Sequence, residues 1–136
     1  MKPMMEEHLK TLMQELELNA TLSKDENRMV QLQINPTLLI SFKELDPGIY
    51  LSSTLGSCPK EKREELFMWL MKANFLAQGT GGGTIALDPD ENNLTLSLVL
   101  PYDMNYKTFK ENLEDFANFV DYWKEELVRY QQTTTT

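Results

Sequence analysis

Apolar and polar positions change period four times along the chain, and each change marks an element. Met5, Leu9, Leu12, Met13 and Leu16 recur at helical spacing with Glu6, Glu7, Lys10, Gln14 and Glu15 between them. This predicts an opening amphipathic helix that stops near Leu18-Asn19. From Met29 the period falls to two: Val30, Leu32 and Ile34 alternate with Gln31 and Gln33, Asn35-Pro36 interrupts, and Leu38, Ile40 and Phe42 resume. That is strand, turn, strand. Asp46-Pro47-Gly48 signals a further turn, and Ile49 to Ser53 reads as a third antiparallel strand.

Pro59 ahead of Lys60-Glu61-Lys62-Arg63-Glu64-Glu65 suits the first turn of a helix, with Ser57 as its candidate cap and an end near Ala77. The second half of this helix, with Leu66, Phe67, Met68, Trp69, Leu70, Met71, Ala73, Phe75 and Leu76, is apolar all round. Such a helix must be covered on two sides. One side can be the domain's own sheet; the other calls for a partner, because an open patch of aromatics and methionines exceeds what soluble monomers expose. Thr84 to Asp88 is a short predicted strand, residues 89–93 a turn, and Leu94, Leu96, Leu98 and Leu100 alternate with Thr95, Ser97 and Val99. Pro101 ends the hairpin. From about Asn105 a long helix is predicted in which Phe109, Leu113, Phe116, Val120, Trp123, Leu127 and Tyr130 step by four and three. Residues 132–136 end in four threonines and read as a disordered tail, leaving 1–131 as a single domain. The order α-β-β-β-α-β-β-α predicts an α+β sandwich, an antiparallel sheet with helices packed on it.

Composition narrows the partners. Thirteen Lys and Arg against 21 Asp and Glu give a net charge of −8 over 136 residues, which argues against a nucleic acid or an anionic membrane and favours a basic partner. The single Cys58 excludes an internal disulfide, and no apolar run approaches the ~18 residues that cross a bilayer. Met1-Lys2-Pro3-Met4-Met5-Glu6-Glu7 lacks the apolar core of a secretory signal, so the cytoplasm is the expected compartment.

Reactive chemistry is sparse. His8, the only histidine, sits among glutamates and is expected to be a solvated surface residue. Cys58 has no second histidine to serve as its base. Asp88-x-Asp90-x-Asn92 opens like a calcium loop, but Asn93 stands where glycine belongs and Val99 where glutamate belongs, so a hairpin turn is expected. Four of the six glycines, Gly79, Gly81, Gly82 and Gly83, suggest a phosphate loop. They leave a helix and enter a strand, with no lysine between Lys72 and Lys107, which is the wrong context for one. A tight helix-to-strand reversal with close backbone approach is the better reading. No catalytic residue, metal or cofactor is expected.

The segment Ala73-Asn74-Phe75-Leu76-Ala77-Gln78-Gly79-Thr80-Gly81-Gly82-Gly83-Thr84-Ile85-Ala86-Leu87-Asp88, with Leu94-Thr95-Leu96 and Leu100-Pro101 after it, resembles the class I type III secretion chaperones, the Tir-chaperone family. The leucine-rich first helix, the helix start at Pro59 and Arg63-Glu64, and the aromatic last helix with Trp123 extend the resemblance from Leu9 to about Tyr130. It implies a small, acidic, dimeric protein of the bacterial cytoplasm without enzymatic activity. Such a protein binds the N-terminal chaperone-binding segment of a secreted effector and keeps it extended for an ATPase-driven export apparatus. The implied dimer interface, whether homodimer or heterodimer with a related chaperone, takes Leu66, Trp69, Leu70, Ala73, Ile85 and Leu87. The implied effector-binding residues, in apolar grooves and at a sheet edge, are Leu12, Leu16, Leu32, Ile34, Leu38, Ile40 and Phe42. For both sets intramolecular core is the competing assignment, since alternating strand residues must bury one face whatever the function. A regulatory protein on the same scaffold, sequestering a transcription factor or polymerase subunit, is the alternative function.

Overall fold

The computed structural model describes residues 4–19 and 21–134. Its elements are α1 (Met4–Glu15), β1 (Met29–Asn35), β2 (Leu38–Glu44), β3 (Ile49–Ser57), α2 (Arg63–Asn74), a single 3-10 turn (Phe75–Ala77), β4 (Thr84–Leu87), β5 (Asn93–Leu100) and α3 (Tyr106–Thr134). The strands form one five-stranded sheet in the order β1-β2-β3-β5-β4, so β1 and β4 are its outer strands. This is the α+β architecture, an antiparallel sheet with helices, that the periodicity predicts. The chain divides into two compact units, Met1–Ser53 with Leu98–Glu114, and Thr54–Ser97 with Asp115–Thr136.

In the first unit the β1–β2 register sets Val30 opposite Phe42 and Leu32 opposite Ile40, and β2 continues onto β3 with Phe42 opposite Leu51. Alternation therefore collects these side chains on one face, where Met5, Leu9 and Leu12 of α1 and Phe109 and Leu113 of α3 are also buried. The hairpin turn is held by Asn35, whose Oδ1 accepts from the backbone N–H and the hydroxyl of Thr37 at 2.9 and 3.0 Å. Gly48 has φ +108°, and a Cβ there would collide with the Leu100 carbonyl, so this turn accepts only glycine.

In the second unit Leu66 and Leu70 of α2, Ile85, Leu94 and Leu96 of the β4–β5 hairpin, and Phe116, Val120, Trp123 and Leu127 of α3 make the core. Asp88 organises the hairpin turn: its Oδ1 accepts from the N–H of Asn92 and Asn93, and its Oδ2 from the Asn93 amide. The N–H of Asn93 foremost holds this carboxyl below its usual range. Asp88 is thus a turn residue. Gly81, at φ +63°, lies where any Cβ would strike the Phe119 ring, which bears out close approach as the reason for the glycines.

Several boundaries differ from expectation. α1 ends at Glu15, short of Leu18-Asn19, and α2 ends at Asn74, with a 3-10 turn in place of the last residues to Ala77. β3 runs to Ser57, so Ser57 ends a strand and caps no helix; Cys58 extends the pairing by donating its N–H to Asn92 O at 2.8 Å. α2 begins only at Arg63, from Lys62 in a left-handed conformation (φ 57°, ψ 34°), because the Arg63 guanidinium donates to Pro59 O at 2.7 Å and Glu91 O at 3.0 Å and holds residues 59–62 outside the helix. α3 continues through Thr134, three residues into the segment read as a disordered tail; Thr135 and Thr136 lie outside the described residues.

Candidate functional site

α1 is fastened in the first unit at both ends. At its start the Met5 N–H donates to Glu44 Oε2 at 3.1 Å, and the His8 ring stacks on Phe109 at 5.1 Å with Nε2 2.8 Å from Met104 O. At its end Glu15 Oε2 accepts from Lys110 Nζ at 2.8 Å and Tyr106 OH at 2.9 Å. The Lys110 hydrogen bond, then the Tyr106 one, holds the Glu15 carboxyl below its usual range. Partial burial and the bond to Glu15 push the Tyr106 phenol up to about 12. His8 is therefore half-buried and engaged, not the solvated residue its acidic neighbours suggested.

Beside α1 runs a groove. A cavity of about 570 Å³ lies between the helix and the segment after it, walled by Lys10, Met13, Gln14, Leu18 and Leu22. Through the shared residues Glu6 and Leu22 the lining continues into a second, more enclosed cavity of about 310 Å³, bounded by Met5, Leu9, Val30, Lys24 and Glu44. Burial, and then the nearby Asp103 charge, push the Glu44 carboxyl up, against the Met5 N–H and the charges of Lys24 and His8.

The residues expected to line such a groove lie mostly beneath it. Leu32, Leu38, Ile40 and Phe42 are at most 2% exposed and Leu12 3%, all in the core; Ile34 is half-buried, and only Leu16 is open to solvent. Sequence reasoning missed Leu18 and Leu22, which follow the first helix and sit in no periodic pattern; two leucines in a polar connection were the signal available.

The second surface is α2, within the second unit. Its inner side buries Leu66 and Leu70, and Trp69 is flanked by Trp123 (5.3 Å, edge-on) and Tyr130 (5.1 Å, stacked). Trp123 Nε1 in turn donates to Gly79 O at 2.9 Å, tying α3 to the glycine segment. The helix ends at Asn74 because the Asn74 side chain both donates to Ile85 O and accepts from Ile85 N, each at 2.8 Å, clipping α2 to β4. Beyond it Leu76 and Ala77 take left-handed backbone (φ 55° and 56°). The outer side of α2 shows Met68 and Met71, and the turn after it Phe75 and Leu76, at 61–71% exposure. Of the residues expected at a dimer interface, Leu66, Leu70 and Ile85 are 1–4% exposed and belong to the chain's own core, while Trp69, Ala73 and Leu87 are half-buried.

Reactive groups are few on either surface. Cys58 is 6% exposed with its thiol pushed up by burial, and among the described residues no group of three or more His, Cys, Asp or Glu could hold a metal ion. No described helix is long and apolar enough to cross a membrane. What the molecule presents is apolar surface with charged rims.

The sequence profile of the Tir chaperone protein (CesT) family matches residues 7–124, which include most of α1, the sheet, α2 and most of α3. The chain belongs to this family. Solved structures give the fold independently. A chain of the HopA1–SchA chaperone–effector complex is 15% identical, with a TM-score of 0.65, over 90% of this chain and 94% of that one. A chain of the complex between the Yersinia pestis type III secretion chaperone SycH and a stable fragment of YscM2 is 14% identical, with a TM-score of 0.57, over 86% and 97%. YbjN from E. coli, a candidate transcription regulator, is 18% identical, with a TM-score of 0.62, over 92% of each chain. At these identities the likeness speaks to fold. A comparison with curated proteins yields no match.

Proposed function

We propose that this member of the Tir chaperone family is a type III secretion chaperone that binds the N-terminal segment of a secreted effector without catalysis. The observation that carries this is the groove along α1, whose apolar floor and charged rim suit an extended chain better than a compact ligand. β1, an outer strand with Gln31 and Gln33 exposed, offers main-chain groups for strand addition beyond Val30, where Lys24 already bridges its edge. Holding the segment extended in the cytoplasm keeps it ready for the ATPase-driven export apparatus. The fold shared with chains of two chaperone complexes supports this reading.

Two copies, or this chain and a related chaperone, associate through the outer face of α2. Met68, Met71, Phe75 and Leu76 supply the contact, with half-buried Trp69, Ala73 and Leu87 beside them, since Leu66, Leu70 and Ile85 have almost no surface left to give. Affinity purification from its own cells should recover an exported protein bound through its N-terminal region, and recovery of no exported protein overturns the proposal. The likeness to YbjN favours one second reading, a regulatory binding protein on the same scaffold. Recovery of transcription machinery in place of an effector would select it.

A further inference from the structure

The more enclosed half of the α1 groove is not simply apolar. Glu44 stands at the end of β2 with Oε2 bonded to the Met5 N–H, and among the described residues its carboxylate forms no ion pair. Around it Met5, Leu9, Leu22 and Val30 make a cavity of about 310 Å³. Glu6 is paired with Lys10 at 3.1 Å, and the charges that act on Glu44 are those of Asp103, of Lys24 on the rim and of His8, whose Nε2 lies 2.8 Å from Met104 O. A partly desolvated carboxylate that has spent one oxygen on a backbone N–H favours a cation that can reach the other. Apolar walls leading to such a carboxylate fit the methylene stem of a long basic side chain.

We propose that this cavity is a specificity pocket for a lysine or arginine of the bound segment, whose stem lies against half-buried Leu22 and whose cationic head pairs with Glu44. The inference rests on the chaperone reading and adds to it a requirement on the cargo: a basic residue within an apolar stretch. Burial raises the Glu44 carboxyl in the free protein, as it does for a charge awaiting its partner. Lys24 competes weakly for the same carboxylate and keeps the empty pocket from attracting cations at large.

The test is selection of random ten-residue peptides displayed on phage against the immobilised full chain, comparing wild type, Glu44→Gln and Lys24→Met. The amide oxygen introduced by Glu44→Gln can still accept from the Met5 N–H, so this variant removes the charge and keeps the hydrogen bond. Wild type should enrich peptides with Lys or Arg flanked by apolar residues. Glu44→Gln should lose that basic preference by about tenfold, the scale of one hydrogen bond to a charged group, while still enriching apolar peptides. Lys24→Met should sharpen it. General attraction of basic peptides to an acidic protein would survive Glu44→Gln almost intact, so retention of the preference overturns the pocket. Apolar enrichment with no basic residue also overturns it and leaves the chaperone reading standing; no enrichment on wild type sinks both. If Glu44→Gln binds nothing, Lys24→Met decides: a stronger basic preference supports the pocket and an unchanged or weaker one refutes it.

Discussion

α1 and α2 are both twelve residues long, both bury leucines on an inner face, and they solve their outer faces in opposite ways. α1 confines its buried side chains to Met5, Leu9 and Leu12 and turns Glu6, Glu7, Lys10, Gln14 and Glu15 outward, so its apolar surface is used within the chain apart from half-buried Met4 and Met13, the latter on the groove. α2 buries Leu66 and Leu70 and still presents Met68 and Met71, with Phe75 and Leu76 exposed in the 3-10 turn that follows it. A helix with one apolar stripe needs one neighbour; a helix with two needs two. The first can take part in binding only through what lies beside it, here the groove under Leu18 and Leu22, whereas the second is itself an unfinished contact.

The inner faces should behave alike, and the largest effects belong there. Leu9→Ala and Leu70→Ala each remove a buried leucine and should each cost ~2–5 kcal/mol of unfolding free energy, measured as denaturation midpoints. A much smaller loss at Leu70 would mean that α2 is supported chiefly by its partner, and the contrast between the helices would have to be redrawn. On the outer faces the two helices should part company. Phe75→Asp puts a charge into the proposed association surface and should weaken the dimer by ~2 kcal/mol or more, roughly thirtyfold in dissociation constant, read by light scattering over a dilution series. Gln14→Asp, on the exposed flank of α1, should leave the mass unchanged.

The next effect in size probes how α2 is positioned. Asn74→Ala leaves the N–H and C=O of Ile85 without their side-chain partners, a loss of ~1–3 kcal/mol. It should appear first as faster hydrogen exchange at Ile85 and only second as a lower melting temperature. Unaltered exchange there would show that β4 is fixed by β5 alone.

How legible these features are in the sequence depends on whether their cause is local. The stripe on the last helix needs nothing beyond its own spacing, and Phe109, Leu113, Phe116, Val120, Trp123 and Leu127 are all at most 5% exposed. Asn35-Pro36 and residues 89–93 likewise carry their turns in their own side chains. The start of α2 is not local: Pro59 signals a helix, but Arg63 reaching Pro59 O and Glu91 O delays it by four residues. His8 reads as exposed because its partners, Met104 and Phe109, lie about a hundred residues away. For the binding surfaces, alternation identifies which strand residues are apolar yet cannot tell floor from groove. The expected set of Leu32, Leu38, Ile40 and Phe42 became core, while the cavities are lined by one flank of α1 and by the aperiodic connection after it. The two-sided character of α2 was visible, but not which of its apolar residues face outward, because that depends on where Trp123 and Tyr130 stand.

The smallest predicted effect concerns the fastening of α1, the counterpart to the open face of α2. Tyr106 donates to Glu15, and its phenol lies at about 12 against ~10 for an unperturbed tyrosine. A folded-state value raised in this way contributes stability that is complete below the unfolded value and is lost as pH rises through the folded one. Glu15 has the opposite shift, so its contribution is present above the ordinary carboxylate range and disappears as pH falls through its lowered value. The clasp therefore acts at full strength from near neutrality to about pH 10, and the wild-type protein should lose stability between about pH 10 and 12 more steeply than Tyr106→Phe. Tyrosinate absorbance should show the last ionisation step of the wild type missing in the variant. If the two titrations superimpose, the Tyr106–Glu15 bond does not hold α1 in solution, and this end of the helix would be fastened by the Lys110–Glu15 pair instead.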